Sequence, residues 1–124
     1  MSRVIRTVSA GAAAAALFLI VAPTQAQAAN ESKSCEVAAT SCSTGSISPN
    51  ALNHYVNVDV STSFACSSDW AVYDTVLNVR VANGHVGRDA VGSALIGSLS
   101  HPLTNKYKLT LSNTCWDTDG VISN

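Results

Sequence analysis

The chain has little charge of either sign. Lys and Arg total 7 and Asp and Glu total 8 among 124 residues, so the formal net charge at neutral pH is −1. Nucleic-acid binding depends on clustered positive charge, which this composition lacks. Disordered segments are poor in apolar residues, which make up 47% of this chain. These features exclude a basic nucleic-acid-binding protein and a disordered acidic tail, and the length allows one small domain.

Catalytic and metal-binding patterns are also missing. The chain has no G-x-S-x-G nucleophile motif and no H-x-x-x-H or C-x-x-C pair. His54, His85 and His101 are isolated in the sequence. The run from Asp117 to Gly120 contains two carboxylates of a calcium loop, but a third carboxylate and the later Glu are absent. We interpret this run as a turn and expect no catalytic residue, no metal and no cofactor.

One long apolar run lies near the amino terminus. Arg3 and Arg6 precede residues 10–22, which are uncharged and apolar, and the small-residue triplet Ala26-Gln27-Ala28 follows. This order is typical of a secretory signal peptide. A membrane anchor is the alternative, but 13 apolar residues fall short of the roughly 20 that span a bilayer. We predict a signal peptide over residues 1–28 and a secreted, extracellular chain with no membrane span after it.

Residues 29–124 form a single predicted domain of 96 residues. This part has five Lys and Arg residues against eight Asp and Glu, a net charge of −3, and all four cysteines. An even cysteine count in a short exported chain is typical of disulfides. Each disulfide would stabilise the fold by about 2–4 kcal/mol, which matters because apolar burial and chain entropy nearly cancel in so small a domain.

Composition and alternation predict an all-β fold. Ser, Thr and Asn fill 32 of the 96 residues, Val is the commonest apolar residue, and no window shows helical periodicity. Apolar and polar residues alternate over His54–Cys66 and, with the opposite parity, over Ala71–Val81. Pairing these segments as a hairpin with Cys66 opposite Ala71 aligns their apolar faces and puts Trp70 at the tip of the connecting loop.

A second hairpin is predicted at Asn83-Gly84, the dipeptide that type I′ turns prefer because both central residues need positive φ. Short strands with frequent turns favour a small antiparallel β-sandwich, immunoglobulin-like in the broad sense, and a small β-barrel is the alternative. The remaining predicted strands are Ser34–Thr40, a short strand with a loop within Val91–Leu103, and Lys106–Cys115.

The four cysteines allow three pairings. Cys66 and Cys115 both end predicted strands on the apolar face, so we favour a bond between them across the core. Cys35 and Cys42 then form a local bond.

An aromatic surface is the first candidate for recognition. Trp70 and Trp116 each lie within four residues of a cysteine of the favoured core disulfide, which brings both rings to one end of the domain beside Asp69 and Asp117. Exposed tryptophans with a polar rim suit a protein partner or a sugar ring. The alternative is that the rings cover the disulfide as part of the core.

A loop is the second candidate. The segment Gly92–Leu103 is rich in Gly and Ser and presents Leu95, Ile96 and Leu99, which suit insertion into a protease cleft as an extended strand. The alternative is an ordinary edge strand with Leu95 and Leu99 turned inward.

These patterns predict a small secreted, non-enzymatic binding protein whose partner is an extracellular protein or a carbohydrate. An inhibitor of a secreted protease or glycosidase, acting through the Gly92–Leu103 loop, is the main alternative. A structural component of the cell surface, assembled by addition of strands to an open sheet edge, is the third interpretation.

Overall fold

The computed structural model describes residues 30–124, and the predicted signal peptide lies outside them. Within this range the chain forms strands and no helix, so it contains no helix long and apolar enough to span a membrane. The all-β prediction is confirmed. In chain order the strands are β1 (Ser32–Glu36), β2 (Cys42–Ser43), β3 (Val56–Ser61), β4 (Ser68–Asp74), β5 (Val79–Val86), β6 (Val91–Ile96), β7 (Tyr107–Ser112) and β8 (Asp119–Ser123).

The strands form two four-stranded antiparallel sheets. The order is β1-β8-β3-β6 in the first sheet and β2-β7-β4-β5 in the second. Within residues 30–124 no strand pairing joins the two sheets, so the strands do not close into the alternative barrel. The predicted arrangement of two antiparallel sheets is confirmed.

Buried side chains from both sheets form one core. Alternation along β3 buries Val56, Val58 and Val60, and alternation along β7 buries Leu109 and Leu111. These are the apolar faces that the sequence predicts for both segments. Burying one such side chain is worth about 1.5–3 kcal/mol. The other buried apolar residues of the core are Val37, Ile47, Val72, Val86, Tyr107 and Ile122.

The two sheets approach each other closely at Gly120 in β8. A Cβ atom on Gly120 would lie 2.9 Å from Cδ2 of Leu109 and 3.0 Å from Cδ1 of Leu111. Because carbon atoms do not pack that closely, the glycine lets leucines of the second sheet rest against the backbone of the first. The sequence does not predict β8, since its glycine and polar residues are typical of turns.

The chain reverses direction at residues 75–78, inside the segment Ala71–Val81 that alternation predicts as one strand. The Oδ1 atom of Asp74 accepts hydrogen bonds from two backbone N–H groups of this turn, at 2.8 and 2.9 Å. Asn78 adopts φ 59° and donates its N–H to the carbonyl of Asp74 at 2.8 Å. Asp and Asn stabilise turns in these ways, and here that outweighs the alternation. The single-strand prediction is therefore wrong.

Asn83-Gly84 lies inside β5, so the predicted type I′ turn is also wrong. Gly84 is the cross-strand partner of Trp70. A Cβ atom on Gly84 would lie 2.6 Å from Cε2 and Cζ2 of the Trp70 indole. The residue is glycine because the indole occupies the space of a side chain, and not because a turn needs positive φ.

Strands β3 and β4 lie in different sheets, so the predicted hairpin between Cys66 and Ala71 is wrong. Since β4 begins at Ser68, Trp70 is its third residue and is half-buried, and it is not at the tip of a loop. The exposed aromatic residue of the connection is Phe64. Alternation does not distinguish two strands of one sheet from two strands of different sheets, because every second residue is buried in either arrangement.

Both predicted disulfides are confirmed. Cys35–Cys42 joins β1 of the first sheet to β2 of the second, and Cys66–Cys115 joins the connection before β4 to the connection after β7. The Cα atoms are 6.0 Å apart in each. Cys66 and Cys115 lie beyond the ends of the strands and are half-buried, so their bond closes one end of the domain and does not cross the core.

Candidate functional site

Four connections meet at the end of the domain that the disulfides close, which we call the disulfide end. Thr62 Oγ1 donates a hydrogen bond to the carbonyl of Gly87 at 2.6 Å. The N–H of Asp117 donates to the carbonyl of Val37 at 3.3 Å. These bonds and the disulfides restrain the backbone at this end. The connections are residues 37–41, 62–67, 87–90 and 113–118.

Two large aromatic side chains project from the disulfide end. Phe64 is 80% exposed and Trp116 is 65% exposed. Each lies within two residues of a cysteine of the Cys66–Cys115 bond. Large aromatic residues are usually buried in folded domains, and a patch of exposed apolar surface is typical of an interaction site. On a restrained backbone, both rings can anchor a partner with little further loss of entropy.

The structure separates the four predicted binding residues. Trp116 and Asp117 are exposed at the disulfide end. Trp70 is half-buried and packs against the core, while Asp69 lies on the opposite, outer face of β4. The two tryptophans therefore do not form one surface patch. Phe64, which sequence alternation places on an inner face, occupies the exposed position expected for Trp70.

The run from Asp117 to Gly120 leads from a bend into β8. Asp117 is exposed and adopts φ 71°. Thr118 is fully buried, and its hydroxyl lies 2.9 Å from the hydroxyl of Thr114. Since Thr118 and Gly120 face the interior, the run is part of the fold. In the described part of the chain, no three His, Cys, Asp or Glu side chains cluster as a metal site would require.

The predicted inhibitory loop presents two leucines to solvent. Leu95 is 62% exposed and Leu99 is 68% exposed, so the alternative with both turned inward is wrong. Ile96 is half-buried and pairs with Val56. Leu95 and Leu99 line a shallow, mostly apolar pocket of about 470 Å³, together with Tyr55. β6 is an edge strand of the first sheet.

The outer face of the second sheet carries polar side chains in three cross-strand rows. The rows follow the pairing of β4 with β5 on one side and with β7 on the other, because directly paired residues project from the same face. We call this surface the outer face. Its rows are Arg80, Tyr73 and Lys108; Asn83, Ala71 and Thr110; and His85, Asp69 and Ser112.

Asp69 is the best-connected polar side chain of the outer face. Asn113 Nδ2 donates to its Oδ2 at 2.8 Å, and Nδ1 of His85 lies 2.7 Å from its Oδ1. The hydrogen bond from Asn113, followed by the one from His85, lowers the pKa of Asp69 below its usual value of 3.8. Asp69 is therefore a fixed carboxylate at neutral pH, and it orients His85 through one ring nitrogen.

The order of residues in this row does not suit a hydrolase triad. Asp69 stands between His85 on β5 and Ser112 on β7, so the imidazole and the hydroxyl lie on opposite sides of the carboxylate. A triad needs the imidazole next to the nucleophile.

Sequence reasoning missed Phe64 and Tyr73 as surface residues, and it did not place Arg80 beside Tyr73. The parity of Tyr73 and Arg80 shows only that they lie on opposite faces of one strand. The turn at residues 75–78 puts them on paired strands instead, and the bulge opposite Val72 brings them to the same face. The chain matches no protein-family model and no curated protein.

Proposed function

We propose that this chain is a small secreted, non-enzymatic binding protein that holds a protein partner at the disulfide end. Residues 1–28 are its export signal, and its two sheets form a sandwich that is immunoglobulin-like in the broad sense. The observation that carries the proposal is the exposure of Phe64 and Trp116 beside the Cys66–Cys115 bond. The two disulfides are consistent with an extracellular protein.

A protein partner fits this end better than a sugar. Phe64 offers only apolar surface, which suits an apolar pocket on a protein and gives a sugar hydroxyl no hydrogen bond. Arg88, Asp89 and Asp117 are exposed on the same connections and supply a charged rim. Aromatic anchors within a polar rim are the usual composition of a binding hot spot.

Affinity capture tests this proposal. Residues 29–124, oxidised and immobilised, are exposed to the extracellular fluid of the producing cells. The expected result is one protein bound in near-equal amount by the unchanged chain, and lost with Phe64→Ala and with Trp116→Ala. Leu52→Ala is the matched control, because Leu52 is 72% exposed but lies outside the disulfide end. Capture that survives both aromatic variants contradicts the proposal, and thermal unfolding shows that each variant is folded.

An inhibitor of a secreted hydrolase is the second candidate function, favoured by the exposure of Leu95 and Leu99 on the edge of the first sheet. Such a loop would fill an extended protease cleft. Incubation with a panel of extracellular proteases and glycosidases should then show stoichiometric loss of activity, relieved by Leu95→Ser or Leu99→Ser. Full activity at tenfold excess of the chain removes this candidate. The third candidate, a cell-surface structural component, requires self-assembly, which sedimentation detects.

A further inference from the structure

The outer face contains a depression with Ala71 at its floor. Ala71 is the central residue of the three rows, and larger polar side chains surround it on both neighbouring strands. One pocket of about 490 Å³ extends from Tyr73 and Arg80 to His85 and Asn113. A second pocket of about 330 Å³ lies on the other side of Tyr73, beside Lys108. Tyr73 lines both pockets and lies between them, and we call the two pockets together the groove.

The groove is a locally positive surface on an acidic chain. Among residues 30–124 the His85–Asp69 pair is the only ion pair, so Arg80 and Lys108 have no carboxylate partner. The groove holds these two cations against the single carboxylate of Asp69, which is already bonded to Asn113 and His85. The chain as a whole has a net charge of −1. An anionic ligand is therefore the one that the local field attracts.

The remaining groups of the groove suit the rings and hydroxyls of a sugar. Tyr73 supplies a flat apolar surface with a polar edge, and a sugar ring has one apolar face of similar size. Asn83, Thr110 and Asn113 supply neutral donors and acceptors along the groove. Asp69 and Tyr73 are four positions apart on β4, which is about 13 Å of strand and enough for a short oligosaccharide.

We propose that the outer face binds an acidic oligosaccharide, of the class built from uronic acids. A sugar ring stacks on Tyr73, and carboxylates of the chain pair with Arg80 and Lys108. The guanidinium of Arg80 can bind a carboxylate through two parallel hydrogen bonds. A neutral sugar has no carboxylate and cannot make this contact. This site meets the disulfide end only at Asn113, and it does not depend on the protein partner proposed there.

Titration calorimetry with defined uronic-acid oligomers tests the proposal. The probes are hexamers of galacturonate, of mannuronate and of hyaluronan, each added to the oxidised chain. We expect at least one to bind and its affinity to fall with added salt, since the contacts are charged and exposed. The methyl ester of the same oligomer keeps the rings and removes the charge, and it should bind about tenfold or more weakly.

Variants assign the binding to the groove. Arg80→Ala and Lys108→Ala should each weaken binding by about tenfold, the loss of one charge-assisted contact. Lys33→Ala is the matched control, because Lys33 is an exposed cation on β1 of the first sheet. Tyr73→Phe should keep most of the affinity and Tyr73→Ala should lose it, since the stacking surface is the ring. Near-ultraviolet circular dichroism confirms the fold of each variant.

Several results would overturn the proposal. One is the absence of binding to all three oligomers. A second is equal binding of an acid and its methyl ester. A third is equal weakening by Lys33→Ala and Arg80→Ala, which would show unspecific charge attraction. If poly-glutamate displaces the oligomer at equal concentration of carboxylate, the surface recognises carboxylates without regard to the sugar ring, and the assignment to saccharides is wrong.

Discussion

The indole of Trp70 on β4 lies against the backbone of Gly84, its direct partner on β5. A Cβ atom on Gly84 would come within 2.7 Å of Nε1 and still closer to two ring carbons. The absence of a side chain at one residue therefore sets the position of a large side chain at the other. This contact explains both the half-burial of Trp70 and the presence of Asn83-Gly84 inside a strand.

Gly84→Ala should destabilise the domain by about 1–3 kcal/mol, the usual cost of forcing an extra carbon into a packed contact. Gly87→Ala is the matched control, because a Cβ atom there meets nothing within 4 Å. Urea unfolding measures both changes. In a Trp70→Ala background the cost of Gly84→Ala should largely disappear, since the two residues are coupled. An unchanged cost in that background would show that the indole is not the obstacle.

Thr62 holds two connections together from a buried position. Its hydroxyl donates to the carbonyl of Gly87 and accepts from the N–H of Ala90 at 3.0 Å. Thr62→Val keeps the shape but leaves these backbone groups without their partner, so it should cost about 1–3 kcal/mol in unfolding free energy. Thr75→Val removes a hydroxyl that is exposed and bonded to the carbonyl of Lys106, and it should cost less. Equal losses would contradict the role assigned to burial.

Removing the two disulfides should have unequal effects. Cys66–Cys115 spans 49 residues and Cys35–Cys42 spans seven. A longer closed loop restricts the unfolded chain more, and the chain-entropy relation gives about 4 kcal/mol for the longer loop and about 2 kcal/mol for the shorter. Chemical unfolding of the two paired Cys→Ala variants measures the difference. A larger loss for the Cys35 and Cys42 pair would show that local strain or packing outweighs loop length.

Asp74 should make the domain sensitive to acid. Burial alone would raise the pKa of Asp74, but hydrogen bonds from Asn105 Nδ2 and from two N–H groups of the turn outweigh it. The pKa is therefore below the usual 3.8. A depressed pKa means that the unfolded chain binds the proton first, so the stabilisation is present above about pH 4 and is lost as the pH falls through the folded pKa.

Thermal unfolding between about pH 6 and pH 2 measures this dependence. Asp74→Asn removes the titrating group and should flatten the fall in the unfolding temperature below about pH 4. Its Oδ1 atom can still accept the two turn hydrogen bonds, so the variant should stay folded at neutral pH. Asp69 also has a lowered pKa and contributes to the same window, so Asp69→Asn is the comparison. An unchanged pH profile in Asp74→Asn would contradict the assignment.

The class of the fold and the faces of its clearest strands follow from the sequence alone. The alternation of Val56, Val58 and Val60, and of Leu109 and Leu111, predicts the residues that the structure buries. Burial on one side of a strand has a period of two, so it is visible without knowledge of the neighbours. The sequence also predicts both disulfide pairs, but the shared apolar face that favoured Cys66–Cys115 is not what joins them, because both cysteines lie beyond the ends of the strands.

The sequence does not show which strands pair or which aromatic residues reach solvent, and both follow from the tertiary structure. The alternation over residues 71–81 is compatible with one long strand and with two strands joined by a turn. The hydrogen bonds of Asp74 stabilise the turn, so the chain forms two strands. A glycine such as Gly84 is compatible with a tight turn and with a close packing contact. The structure shows the contact, because the indole of Trp70 lies against Gly84. Phe64 is exposed because β3 ends at Ser61. The pairing of the strands and the contact of Trp70 with Gly84 depend on residues distant in the chain, which local patterns do not contain.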